Sequence, residues 1–321
     1  MDVLGDAAVS VFEGPGVGSV YGGGAYGLVG NVTIGANGGK YVITGSDNLA
    51  ETNVVIIGGK VGSDDLQSLS TGNVFGGGYG PNAVVAGSTH VYIGHAPASI
   101  DVSEMTHSSV GVHGNVYGGG EMGSVGAFDS DNNRLFSYEL QTPNVSSNVS
   151  IISTDTNKKV IIGHPGQTST ADDYAERIGN VFGGGQGGDI PSAVMANTNS
   201  SDSEPHAALD SLIEYGYATI YGPANVVISG KESGPSSTSK NTDSNIRIGG
   251  EVYGGGEGLI KGQSRHADIG GSNIVTKKEA ILSSTLYGRV TGDLVGDSDG
   301  KLSSAATRVF INDAVVLKSV F

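Results

Sequence analysis

The sequence has no cysteine, no tryptophan and few basic residues, 17 Lys and Arg among 321. Without cysteine there is no thiol nucleophile, disulfide framework, thiolate zinc site or iron–sulfur cluster. Against those 17 cations stand 32 acidic residues, and the resulting charge of −15 repels nucleic-acid phosphates and anionic lipid. Neither is an expected partner. No run approaches the roughly 18 uncharged apolar residues that a membrane helix needs, so membrane insertion by this segment is not expected. Met1-Asp2-Val3-Leu4-Gly5-Asp6 lacks the basic and apolar regions of a signal peptide. At the other end, Ala314 to Phe321 reads as an apolar strand-like run rather than a polar tail, the pattern expected of a slice from a longer protein.

Glycine is what the chain has in excess, 55 residues. Runs such as Gly22-Gly23-Gly24 break the period of three that collagen requires. The 37% of hydrophobic residues, rich in Val and Ile, argues against disorder. The glycines are placed. Val-(Tyr/Phe)-Gly-Gly-Gly occurs at Val20, Val74, Val116, Val181 and Val252, at intervals of 54, 42, 65 and 71 residues. Asn73, Asn115 and Asn180 precede three of these valines, and Leu286-Tyr287-Gly288 reads as a decayed sixth copy. A second, β-branched element alternates with the first: Val32 to Gly35, Val55 to Gly58, Val91 to Gly94, Val160 to Gly163 and Val226 to Ser229. Aligning Tyr92 to Tyr117 with Ile161 to Phe182 puts His95 and His164 at one repeat position.

Strands this short cannot form a sheet alone, but they can when stacked on like neighbours. Glycine would supply positive φ angles and close backbone approach at the corners, and Asn an αL turn or a side-chain ladder. The expected fold is therefore all-β: a parallel β-solenoid with short strands, glycine corners and a few short loop helices. A β-propeller and a multi-sheet β-sandwich remain as alternatives, and the unequal intervals count against the propeller. The loop helices are predicted at Ser63 to Leu69, Thr170 to Ile178 and Ser203 to Tyr215. Asp129 to Asn148, Met195 to Glu204 and Lys231 to Asn245 read as polar surface insertions. The chain reads as one elongated repeat domain, 1–321, with units near 20–73, 74–115, 116–180, 181–251 and 252–321.

Several residue sets could carry chemistry. Gly22-x-Gly24-x-x-Gly27 and its counterparts at Gly118 and Gly183 match a dinucleotide fingerprint, but no helix is predicted after them to face a phosphate. They read as turns between strands. Calcium is the one possible cofactor: Asp189 ends a Gly-Gly-x-Gly-x-Asp-like run, and Asp297 and Asp299 open an EF-hand-like loop that has Arg308 where glutamate is needed. Asp172, Asp173, Glu176 and Arg177 form the best carboxylate–guanidinium cluster for a polysaccharide lyase or glycoside hydrolase. Their position at the start of a predicted helix is equally that of a favourable helix cap. The aromatic positions Tyr21, Phe75, Tyr117, Phe182 and Tyr253 would form a ladder, stacked inward or exposed to bind sugar faces, and their Tyr/Phe interchange suggests a dispensable hydroxyl.

The five Val-(Tyr/Phe)-Gly-Gly-Gly copies resemble the glycine-rich repeats of adhesin-like surface proteins of gut Bacteroidales, across about Val20 to Tyr287. That resemblance implies an exported, extracellular or cell-surface protein acting as a stalk or adhesive surface toward glycans or host and neighbouring-cell proteins. It brings no catalytic residues with it. The expected role is a non-enzymatic scaffold displaying variable loops, with a β-helical polysaccharide lyase or glycoside hydrolase as the alternative.

Overall fold

A computed structural model of the chain describes residues 6–13, 16–30, 32–34, 41–43, 50–63, 72–80, 83–103, 105, 107–126, 145–163, 179–187, 220, 223–230, 244–257 and 307–321. Every regular element among these residues is a strand. The strands form four parallel sheets and one antiparallel pair, Val32–Ile34 with Tyr41–Ile43.

The longest strands, Ala7–Val11, Thr52–Ile56, Thr89–Ile93, Ser147–Ile152, Ala224–Ser229 and Thr307–Asn312, lie side by side in chain order as the long sheet. A second sheet holds Gly59–Val61, Val110–Val112, Val160–Ile162, Ile246–Ile248 and Val315–Val316. The triad sheet holds the Val-aromatic pairs Val20–Tyr21, Val74–Phe75, Val116–Tyr117, Val181–Phe182 and Val252–Tyr253. A fourth, smaller sheet joins Leu28–Val29, Val84–Val85 and Ser124–Val125. Within each parallel sheet no strand pairs with its immediate chain neighbour, because the chain visits the other sheets before returning. A tier is therefore built from successive strands of the long, second and triad sheets, and the fourth sheet contributes to three tiers only.

Alternation builds the long sheet. Ser147–Ile152 and Ala224–Ser229 are buried and half-buried at strictly alternate residues, as a strand with one face on a core must be. The inward positions stack like on like. Val9, Val54, Val91, Val149, Val226 and Val309 form one column, and Val11, Ile56, Ile93, Ile151, Ile228 and Ile311 another. Inward valines and isoleucines of the second and triad sheets complete one apolar core. At the first inward position, Thr52, Thr89 and Ser147 donate across the tier to the carbonyls of Gly76, Gly118 and Gly183, at 2.6, 2.7 and 2.6 Å.

The triad glycines serve one of the two purposes expected of them. None of those described lies in the left-handed region. A Cβ on Gly22 would stand 2.2 Å from the Gly76 carbonyl oxygen, and one on Gly76 2.1 Å from that of Gly118. Close backbone approach between tiers requires most of them, although Gly255 meets nothing within 4 Å. Positive φ is used at other corners, such as Gly94 and Gly163, where the chain leaves the long and second sheets.

The second β-branched element turns out to be three things. Val91–Ile93 and Val226–Ser229 lie in the long sheet, Val160–Ile162 in the second sheet, and Val32–Ile34 in the antiparallel pair. Ile93 pairs with Ile151 and Ile162 with Val112, so the alignment that equated His95 with His164 joins different sheets. The two strands compared are both β-branched and both end in a positive-φ glycine, Gly94 and Gly163, which is why the pattern could not separate them.

The terminal run also divides: Val315–Val316 belongs to the second sheet, while Val320 bridges to Val252 in the triad column. Val320–Phe321 thus supplies a sixth Val-aromatic pair; Leu286-Tyr287-Gly288 lies outside the described residues, as do the predicted helices beyond Ser63. Two expected surface insertions reach into the framework. Ser147 and Asn148 start a long-sheet strand, and buried Asn245 donates through Nδ2 to the Ser153 carbonyl at 3.0 Å.

Candidate functional site

The aromatic ladder is present and mostly closed. Tyr21, Phe75, Tyr117, Phe182, Tyr253 and Phe321 stack in succession, with centroid spacings of 4.9, 4.7, 5.0, 4.8 and 5.0 Å and interplanar angles of at most 9°. The rings inherit the spacing of hydrogen-bonded strands, about 4.8 Å, which is also a good stacking distance. Phe75, Tyr117 and Phe182 are buried and Tyr21 and Tyr253 half-buried, so the ring faces are covered by one another. The exposed arrangement needed to grip sugar faces is absent from these five rings. Phe321 alone is largely exposed, at 67%.

The tyrosine hydroxyls are not idle. Tyr21 donates to Glu121 at 2.5 Å, Tyr117 to Glu257, and Tyr253 to Glu251. Tyr117 also accepts from Asn115 Nδ2 at 2.9 Å, and Glu257 from Gln186 Nε2 at 3.1 Å. Burial, then the bond to a carboxylate, pushes the Tyr21 and Tyr253 hydroxyls well above the usual phenol range. Glu121, Gln186 and Glu257 share one bridged column directly after the third glycine of their triads. Three polar residues at that position were a visible signal, but only register showed that the two glutamates meet tyrosines.

The asparagines before the valines form the expected side-chain ladder. Asn73 Oδ1 accepts the N–H of Asn115, Asn115 Oδ1 that of Asn180, and Asn180 Oδ1 that of Glu251, each at 2.8 Å. Ser19 Oγ does the same for Asn73 at 3.3 Å.

On the outer face of the long sheet, His95 Nε2 lies 2.8 Å from Ser150 Oγ, and its ring meets the Tyr92 ring edge-on at 5.4 Å. Burial holds the His95 pKa below the ordinary imidazole value. His90 lies parallel to Tyr92 and 3.4 Å from Glu51. These contacts are structural, and no cluster of three or more metal-ligating side chains occurs among the described residues. Asp172, Asp173, Glu176, Arg177, Asp189, Asp297 and Asp299 all lie outside them. The dinucleotide reading fails sterically where it can be tested, because the triad backbones are packed against each other and leave no room for a pyrophosphate.

The site that sequence reasoning missed is a cleft on the second sheet, about 320 Å³ in volume. Gly111 sits in register between Lys60 and Ile161, and its missing side chain opens the space. Positive φ at Gly59 turns the chain out of the long sheet and delivers Lys60 to one wall. Lys159 lies on the other side. Its N–H donates to Ser109 Oγ at 3.0 Å, and Gly59 N–H donates to Ser108 Oγ at 3.2 Å. His113, buried, donates from Nδ1 to the Ser63 carbonyl at 3.1 Å, which leaves Nε2 as the ring nitrogen beside Gly111. Spacings in the sequence carried no hint of this grouping, because Lys60, Gly111 and Lys159 come from three tiers.

No protein-family model, curated protein or solved structure matches this chain.

Proposed function

We propose that the chain is a segment of a parallel β-solenoid, each tier one turn, serving as a non-enzymatic adhesive scaffold in a bacterial cell-surface or secreted protein. The observation that carries this reading is constancy of register beside variation of loops. The step from second sheet to triad sheet is made by three residues at 113–115 and 249–251, and by eighteen at 163–180. The strand columns on either side remain in register throughout. A frame that absorbs insertions without shifting is suited to presenting loops for contact. Its stacked rings, asparagine ladder and apolar core make it stiff with no disulfide. Glycans and proteins of host or neighbouring cells are the partners, met outside the cell by loops in the polar insertions. The cysteine-free, acidic, Ser/Thr/Asn-rich composition favours that location.

The test is display of the chain on a non-adherent bacterium, with and without deletion of 129–143 and 195–204. Adhesion to a glycan-bearing epithelial layer is expected with the intact chain and near background with the deletions, while the β-type circular dichroism is kept. Equal adhesion by both forms, or none by the intact chain, overturns the reading.

A further inference from the structure

The sheet columns end at two open faces. The first tier consists of Ala7–Val11, Val17 and Val20–Tyr21, and the last of Thr307–Asn312, Val315–Val316 and Val320–Phe321. Among the described residues each pairs on one side only, so each presents backbone N–H and C=O groups outward. Stacked-repeat proteins normally close such ends with a polar cap. The last tier has the opposite character. Of the six large hydrophobic residues exposed among the described residues, Phe310, Leu317, Val320 and Phe321 lie here, and Val17 lies on the first tier.

The two faces fit each other. Column register would set Val9 of a second copy beside Val309, Val11 beside Ile311, Val17 beside Val316 and Val20 beside Val320, so each apolar column continues like on like. The rings alternate Tyr and Phe from Tyr21 to Phe321, and the next in that order is a tyrosine, which Tyr21 of the second copy supplies. Thirteen positions separate Ala7 from Val20 and Thr307 from Val320, against 22 from Thr52 to Val74 and 34 from Ser147 to Val181. Neither end tier therefore carries a long insertion of its own between these sheets. Charge is complementary as well. Residues 6–21 carry Asp6 and Glu13 and no cation, whereas 307–321 carry Arg308 and Lys318 against Asp313, the reverse of the balance in the whole chain. We propose that this chain assembles head to tail, the first tier of one copy seating on the last tier of another and extending all three columns. A tail-to-tail pair would instead set Arg308 and Lys318 against their own copies, which like charge disfavours. Because the contact is heterologous and its faces lie at opposite ends of the columns, growth stays open and gives a filament. The inference goes beyond adhesion: it stands on the sheet columns and needs no ligand for the loops.

Sedimentation velocity of the purified full chain tests this. The parent chain is expected to grow into species larger than dimers as its concentration rises to about 100 µM. Val320→Asp places a lone carboxylate in the contact on the tail side, and Val17→Asp does so on the head side, where burial without a partner opposes association. Both valines are exposed in the single chain, so the circular dichroism and thermal unfolding of each variant should match those of the parent. Each variant alone should stay monomeric. An equimolar mixture of the two should form dimers and nothing larger, because one intact head then meets one intact tail. The proposal is overturned if the parent stays monomeric or stops at a dimer, as a tail-to-tail pair would. It is equally overturned if either variant alone assembles as the parent does, or if the mixture stays monomeric. Loop-borne adhesion in the display experiment enters none of these outcomes, so the two readings fail separately.

Discussion

At the scale of single residues, the glycines divide by what surrounds them. Gly76 and Gly111 both lie in the tiered framework outside the left-handed region. Gly76 faces the Gly118 carbonyl at a distance no Cβ can occupy, whereas a Cβ on Gly111 would make only ordinary contacts with His113 and Lys60. Gly76→Ala should cost about 2–4 kcal/mol, because backbone cannot yield as a flexible side chain can. Gly111→Ala should instead stabilise by about 0.5 kcal/mol, since glycine within a strand carries an entropic penalty. Urea midpoints of the two variants would show the opposite signs. The tyrosines make the same point. Interchange with Phe suggested an unused hydroxyl, yet each Tyr in the described ladder has found a carboxylate.

At the scale of elements, each short strand is held by side-chain ladders as well as by its own hydrogen bonds. Asn115 is the clearest link. Buried, it receives the Asn180 N–H and donates to Tyr117. Asn115→Ala leaves a buried N–H unpaired and should cost about 1–3 kcal/mol. Asn115→Ser should fall between that variant and the parent, because Ser19 fills the corresponding role in the first tier at a longer distance. Chemical denaturation orders the three. This ladder was foreseeable from asparagine recurring before the valine. Its continuation through Ser19 and Glu251 was not, because neither shares asparagine's identity.

For the whole molecule, burial of titratable rings sets the pH range of stability. Burial lowers the His95 pKa, so the folded ring resists a proton that the unfolded chain accepts below about pH 6.5. Its contribution is complete above that value and is lost as pH falls. Tyr21 and Tyr253 are shifted upward, so the unfolded chain ionises first, near pH 10. Their contribution is complete below that value and is lost as pH rises. Unfolding free energies measured across pH should form a plateau between about 6.5 and 10. His95→Gln is expected to soften the acid limb, and Tyr21→Phe with Tyr253→Phe the alkaline limb; limbs unchanged in these variants would contradict the assignment.

The sequence by itself determined that the described framework is all-β, where the Val-aromatic-triad strands lie, and that their asparagines and rings could form ladders. These are local properties: β-branched pairs, bounding glycines and recurrence along the chain. Only the tertiary structure decided which β-branched strand belongs to which sheet, since strands of the long and second sheets obey the same inward pattern and end at similar corners. It also decided that the triad glycines answer to a neighbouring backbone rather than to φ, that the rings face one another, and that two lysines a hundred residues apart line one cleft. Each of those follows from register between tiers. Register is set by the stacking of whole columns across insertions of unequal length, a sum over contacts that no single stretch of sequence contains.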